Sequence, residues 1–222
     1  MTVQVTETVE WVHQCYEHEG DHEHVSLYLL RAGEDAILVD SGSFYHREAI
    51  ADAIDDATGG EGPDAIVLSH SDYPHAANVS PYPVQASTPY RCECGGAFGF
   101  VDPPLADRSH TTWIYDHGDG VLFTADGFGN YHEPGQCRYL SGDFADVTPA
   151  ERIYEYHRDN LVWLRYVAPE KVERTLDDIF ERFDVNAVAP IHGNPIEGDD
   201  LPVYRERLSD AIRRIADEYE VA

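Results

Sequence analysis

Three short strings, Ser-His-Ser-Asp-Tyr-Pro-His at 69–75, Leu-Phe-Thr-Ala-Asp at 122–126 and Pro-Ile-His-Gly at 190–193, each stand where an apolar run of strand character gives way to a loop. Strands that hand imidazoles and carboxylates to the loops beyond their ends call for a sheet with one edge at which those loops converge. Oxygen and nitrogen donors arriving at one edge from several directions are what a divalent metal ion requires. The chain therefore reads as an α/β fold built around a metal site, and a binuclear one.

The flanking text supports that architecture. Val3–Val12, Val25–Arg31 and Ala36–Val39 are rich in Val, Leu, Ile and Tyr, with Gly20, Gly33 and Gly42 as punctuation, and read as strands. The period then changes: Ile50, Ala53, Ile54 and Ala57 recur at helical spacing before Gly59-Gly60, and a strand over Ala65–Leu68 runs into the first histidine string. Pro81–Asp107 holds only short apolar runs among Pro and Gly, which suggests strand fragments and loops. Thr111–Tyr115 and Val121–Thr124, joined by Asp-His-Gly-Asp-Gly, predict a hairpin. Thr148-Pro149-Ala150-Glu151 carries the features of a capped helix start. Val172, Leu176, Ile179, Phe180 and Phe183 form one helical stripe. Asn186–Ala189 reads as a strand, and Tyr204, Leu208, Ala211, Ile212, Ile215 and Tyr219 mark a final helix. The 222 residues show no internal repeat or linker, so one domain over 1–222 is expected.

Charge narrows the classes further. With 42 Asp plus Glu against 15 Lys plus Arg, the formal net charge is -27, and Lys171 is the sole lysine. Such self-repulsion is tolerable when salt screens it, which points to the high-salt cytoplasm of a halophile. No basic stripe is present to meet phosphates, so nucleic acid is excluded as a partner. No apolar run is long enough for a bilayer, and no secretory signal is visible at the N-terminus, so a cytoplasmic chain is expected.

Four cysteines make no disulfide framework in a cytoplasmic chain of this size. Cys15 and Cys137 read as isolated small hydrophobes. Cys92 and Cys94 would share a strand face, but two thiols are half of a structural zinc site. His13, His18, His22 and His24 crowd an acidic stretch that reads as a solvated loop rather than a metal-binding or pH-sensitive one. His46, His117 and His157 are taken as surface or hydrogen-bonded core residues.

Asp40-Ser41-Gly42 after a strand, the loop from His70 to His75, His110, Asp126 and His192 follow one another in an order that resembles the metallo-β-lactamase superfamily, whose fold is an αββα sandwich of two mixed sheets flanked by helices. The resemblance runs from about the second strand to Ile196. Within the superfamily, His110-Thr111-Thr112-Trp113, Leu122 to Gly129 and Ala189-Pro190-Ile191-His192-Gly193 are most similar to the di-iron domain of flavodiiron proteins and to oxygen-binding di-iron proteins. The resemblance implies one metal on His70, Asp72 and His110, a second on His75 and His192, and Asp126 bridging them. It places Asp40 behind a ligand, orienting it through hydrogen bonds.

Two positions depart from the pattern. Asp72 stands where flavodiiron proteins have Glu and the hydrolases His, so a carboxylate there favours the iron branch. Pro74 stands where almost every member has a ligating Asp, which leaves the second metal weakly held unless His132, six residues after Asp126, fills the gap.

The resemblance thus implies two divalent metal ions, iron favoured and zinc the alternative, and a protein that handles oxygen or a related small oxidant. About thirty residues follow His192, too few for a fused flavin domain, so electrons are expected from a separate flavin or iron–sulfur donor. A zinc hydrolase of an ester, thioester or phosphodiester small-molecule substrate is the second reading. A non-catalytic metal-binding sensor is the third. The sequence leaves the oligomeric state open; relatives of this kind often form head-to-tail dimers, so a homodimer is one option.

Overall fold

In the computed structural model, residues 2–18, 20–79 and 98–218 are described. Strands β1 (Thr2–Gln4), β2 (Val9–His18), β3 (Asp21–Ala32), β4 (Asp35–Val39) and β5 (Ala65–Val67) form one sheet in that order. A second sheet runs β10 (Ile196–Glu197), β9 (Ala187–Ala189), β8 (Val121–Phe123), β7 (Trp113–Asp116), β6 (Phe98–Val101). Both sheets are mixed: β4 with β5 and β8 with β9 are parallel, and the remaining pairs antiparallel.

Side-chain alternation assigns each strand residue to a layer. Tyr28, Leu30, Ile37 and Val39 of the first sheet meet Ile114, Val121, Phe123 and Ala189 of the second in a core between the sheets. Their neighbours Leu27, Leu29, Ala36 and Leu38 point the other way, onto Ile50, Ala53 and Ile54 of α1 (Arg47–Thr58). On the far side Trp113, Tyr115, Leu122 and Val188 pack under α3 (Ala150–Asn160), α4 (Pro169–Arg182) and α5 (Leu201–Glu218). The result is the αββα sandwich expected from the sequence. A single helical turn, α2 (Tyr73–Ala76), lies within the first histidine string.

Three local expectations are corrected. The His-rich stretch is no solvated loop: β2 and β3 pair along their whole length from Val9↔Leu30 to His18↔Asp21, and His24 is fully buried. Helix α3 starts at Ala150 with Pro149 as its cap, and the Thr148 hydroxyl is buried without a hydrogen-bond partner rather than capping the helix. Cys15 and Cys137 are not isolated but joined by a disulfide across 122 residues of sequence. Cys92 and Cys94 lie outside the described residues. Among the described residues no helix is long and apolar enough to cross a membrane.

Candidate metal centre

The parallel pairs β4–β5 and β8–β9 deliver four chain segments to one edge of the sandwich. Asp40 follows β4, His70 follows β5, Asp126 follows β8 and His192 follows β9. The turns that do this are conformationally demanding. Asp40 and Ala125 both take positive φ, 61° and 49°, a region that non-glycine residues enter at a cost and that rigid surroundings must enforce. Gly129 lies so close to Tyr156 and to the His192 carbonyl that a Cβ would collide with both. Asn130 N–H donates to that same carbonyl at 3.0 Å, which ties the loop after β8 to the loop after β9.

Two of the imidazoles, those of His75 and His192, are oriented from behind. Asp40, fully buried, accepts from Ser69 N–H (2.7 Å) on one oxygen, and from Ser69 Oγ–H (2.7 Å) and His75 Nδ1 (3.0 Å) on the other. His192 Nδ1 lies 2.7 Å from the His24 carbonyl and 2.9 Å from Glu23 Oε1. With both Nδ1 atoms donating, the Nε2 lone pairs of His75 and His192 face forward, the tautomer a metal ligand needs. Those two atoms lie 3.2 Å and 3.6 Å from Asp126 Oδ1. His70 lies beside His75 with ring centroids 3.7 Å apart and planes tilted by 52°, and its Nε2 lies 3.6 Å from Asp107 Oδ2.

Two atoms at the centre are telling. Asp126 Oδ1 and His70 Nε2 are buried and make no hydrogen bond, although polar groups surround them. Buried polar atoms in native folds are nearly always satisfied, and an unsatisfied carboxylate oxygen and imidazole nitrogen facing a shared space are donors of the kind that a bound cation takes. The space is a cavity of about 180 Å³ lined by Glu23, Asp72, Asp107, Asn160 and the residues above. Two overlapping donor groups lie along it, His70 with His75 and Asp126, and His70 with Asp72 and Asp107. His–Asp clusters able to hold metal ions are therefore present.

The electrostatics match. Burial would lower the His75 imidazole and raise the Asp126 carboxyl, but each is overridden by the other and by neighbours. Asp40 and Asp126 lift His75 to about 10, while His192 and His75 hold Asp126 well below the carboxylate range. His192 is raised in the same way by Asp126 and Glu23 against its burial. Burial lowers His70, helped by the adjacent His75, and burial together with Asp126 raises Asp107. In a metal-free cluster protons therefore occupy places that a cation would take.

Of the residues singled out from sequence, His70, Asp72, His75, Asp126 and His192 line this cavity, with Asp40 directly behind His75. His110 does not; it is exposed, and Asp107 stands in the cavity instead. His132 does not either: its Nε2 is 3.1 Å from Cys15 Sγ, in a separate group with His22 and Cys137. Sequence reasoning missed Asp107, Glu23 and Arg108. Asp107 stands three residues before His110 in the same loop, and only the loop's path decides which of the two turns inward. Glu23 sits mid-strand with no motif around it. Arg108 bonds Asp72 at 2.9 Å and lies at the cavity mouth.

The sequence profile of the metallo-beta-lactamase superfamily matches residues 20–92. A search of curated proteins gave no match. Among solved structures, a variant of the flavo di-iron protein of Thermotoga maritima superposes with a TM-score of 0.76 at 15% identity, covering 95% of this chain and 61% of that one. The flavodiiron protein of Giardia intestinalis gives 0.73 at 14% identity, over 96% of this chain and 60% of that one. Rubredoxin oxygen:oxidoreductase from Desulfovibrio gigas gives 0.67 at 14%, over 99% and 61%. The chain thus has the metallo-β-lactamase fold and spans about three fifths of the length of these flavodiiron proteins.

Proposed function

We propose that this chain binds a pair of non-haem iron ions and handles oxygen or a related small oxidant, with electrons supplied by a separate donor. The observation that carries the reading is the convergence of unsatisfied His70 Nε2 and Asp126 Oδ1 with the forward-facing Nε2 atoms of His75 and His192 in one carboxylate-rich cavity. His70, Asp72 and Asp107 would hold one ion, His75 and His192 the other, and Asp126 would serve both. The donors are oxygen and imidazole nitrogen with no sulfur, a set that suits iron and also zinc; the high share of carboxylate favours iron.

An iron pair would supply one-electron steps to a bound oxidant. The protein's own contribution is to hold imidazoles in the ligating tautomer through Asp40, Glu23 and the His24 carbonyl, and to keep Asp126 ionised. Arg108, paired with Asp72 and 3.8 Å from Asp107, offsets part of the carboxylate charge at the mouth.

The alternative is a zinc hydrolase. It is less well supported because Pro74 supplies no carboxylate where superfamily hydrolases position the attacking water. Protein purified anaerobically in high salt decides between them. Iron bound in the cavity, with a visible spectrum that changes on admitting oxygen, is the expected result. Zinc with turnover of a chromogenic ester and no response to oxygen would replace this reading with the hydrolase.

A further inference from the structure

Strand parity in the β2–β3 hairpin sorts its side chains into two chemistries. Glu23 turns toward His192 and the candidate metal centre. His22 and His24, one residue to either side, turn to the opposite face, where Cys15 stands directly across from His24. The segment after β8 crosses this face: His132 N–H donates to the His22 carbonyl at 3.1 Å, and Cys137 reaches Cys15. Cys15 Sγ then lies 3.1 Å from His132 Nε2 and 3.5 Å from His22 Nδ1. One donor atom from each of Cys15, His22, His132 and Cys137 falls within 4.8 Å of all the others.

We propose that, with the Cys15–Cys137 disulfide reduced, these four side chains form a second metal site, a closed Cys2His2 site for zinc. A disulfide needs no imidazole beside it, yet two from different segments aim ring nitrogens at this sulfur pair. His132 is 1% exposed, its Nδ1 has no hydrogen-bond partner, and its Nε2 faces the Cys15 sulfur, so one ring nitrogen is left unsatisfied and the other is spent on the sulfur pair. Two thiolates and two imidazoles are the full donor set of a tetrahedral structural zinc site and leave no open position for substrate. The Cα–Cα distance of 6.0 Å lets the same pair exist as a disulfide, so the two states exclude each other at one place.

The chemistry balances with a dithiol as reductant. Thiol–disulfide exchange breaks the Cys15–Cys137 bond, transfers two electrons and two protons to it, and leaves the reductant as its own disulfide. Zinc binding then displaces the two thiol protons and forms two zinc–sulfur bonds, while the neutral imidazoles contribute lone pairs. The loop clamped in this way runs six residues beyond Asp126, and the hairpin that it is clamped to carries Glu23 and the His24 carbonyl behind His192. Metal or disulfide at this second site therefore fixes the backing of the first.

Cobalt(II) is the probe, because cobalt bound to thiolate shows a sulfur-to-metal charge-transfer band in the near ultraviolet that an oxygen–nitrogen site cannot give. The reading of the first site is thus tested separately. Fully reduced, metal-free protein should develop this band and saturate it at one thiolate-bound ion per chain, with zinc displacing the cobalt. The same chain with its disulfide intact should not. The band should persist in a Cys92→Ser/Cys94→Ser variant and disappear in Cys137→Ser. No band in the reduced wild type would overturn the proposal, as would a band in the disulfide form or one that needs Cys92 and Cys94 instead. Comparing reduced with oxidised wild type keeps the test decisive if Cys137→Ser does not fold.

Discussion

Replacing Asp40 by asparagine changes one atom and should reverse the proton on His75. In the wild type Asp40 Oδ1 accepts from the backbone N–H of Ser69 at 2.7 Å, and Oδ2 accepts from Ser69 Oγ and His75 Nδ1. The backbone donor cannot turn round, so the asparagine carbonyl must stay on Ser69 N–H and its NH2 must face His75 Nδ1. That nitrogen then has to accept, which moves the imidazole proton to Nε2, the atom 3.2 Å from Asp126 that should face the ion. The opposite amide orientation leaves two donors face to face in a fully buried place, at a cost of about 1–3 kcal/mol. Either way metal affinity should fall roughly 10–100-fold, equivalent to about 1.4–2.7 kcal/mol, as is usual when the partner behind a ligating histidine is lost. Competition between the metal-free protein and a chromophoric chelator measures this, with zinc as probe and the disulfide intact. Affinity within twofold of wild type would refute the orientation argument and remove Asp40 from the site.

Other expectations follow from particular contacts. Asp107→Ala should lower metal retention at least tenfold while His110→Ala leaves it unchanged, measured by elemental analysis after dialysis; the reverse ranking would restore His110 as the ligand. Pro74→Asp should raise the occupancy of the weaker position toward that of the stronger, and equal tight binding in both chains would show that the missing carboxylate is already compensated. Buried His157, held at about 4 by loss of solvation against the help of the Ile153 carbonyl, is protonated in the unfolded chain first as pH falls. Stability should therefore drop between about pH 6.5 and 4 by up to about 3 kcal/mol from this group, with no contribution above that window. Urea midpoints across it should slope less in His157→Gln, and equal slopes would exclude His157 as a source of acid sensitivity. Lowering KCl from molar to millimolar should depress the melting temperature sharply because of the net charge of -27, and a salt-insensitive melting curve would contradict the halophile expectation.

The legible parts of this fold were those whose cause is local. The unbroken apolar runs Ala36–Val39 and Val121–Phe123, the Gly59 stop after α1 and the helical stripe through Leu176 and Ile179 are written in neighbouring residues, and the structure follows them. The strand-end placement of His70, Asp126 and His192 was readable for the same reason: a strand's end fixes where its next residue emerges. What was not readable depends on distant chain. Cys15 meets Cys137 only because β2 and the loop after β8 cross. The acidic His13–His24 stretch is ordered by pairing that buries one face despite its charge. Asp107 rather than His110 turns inward because of a loop path that no local pattern encodes. At Thr148 the local signal was misleading, since Pro149 takes the cap position and the Thr148 hydroxyl is buried without a partner.

Asp126 is the single residue on which the metal-centre account turns, because its Oδ1 faces both His75 and His192 and lies in the same cavity as His70. Ferrous ion titrated anaerobically into metal-free protein, with the Cys15–Cys137 disulfide intact, should fill the cavity in wild type, the first ion more tightly than the second. In Asp126→Ala both ions should be lost, since a shared carboxylate serves two positions at once. Bound iron in the variant equal to that in wild type would show that the cluster is not built around Asp126 and would contradict the ligand assignment as a whole.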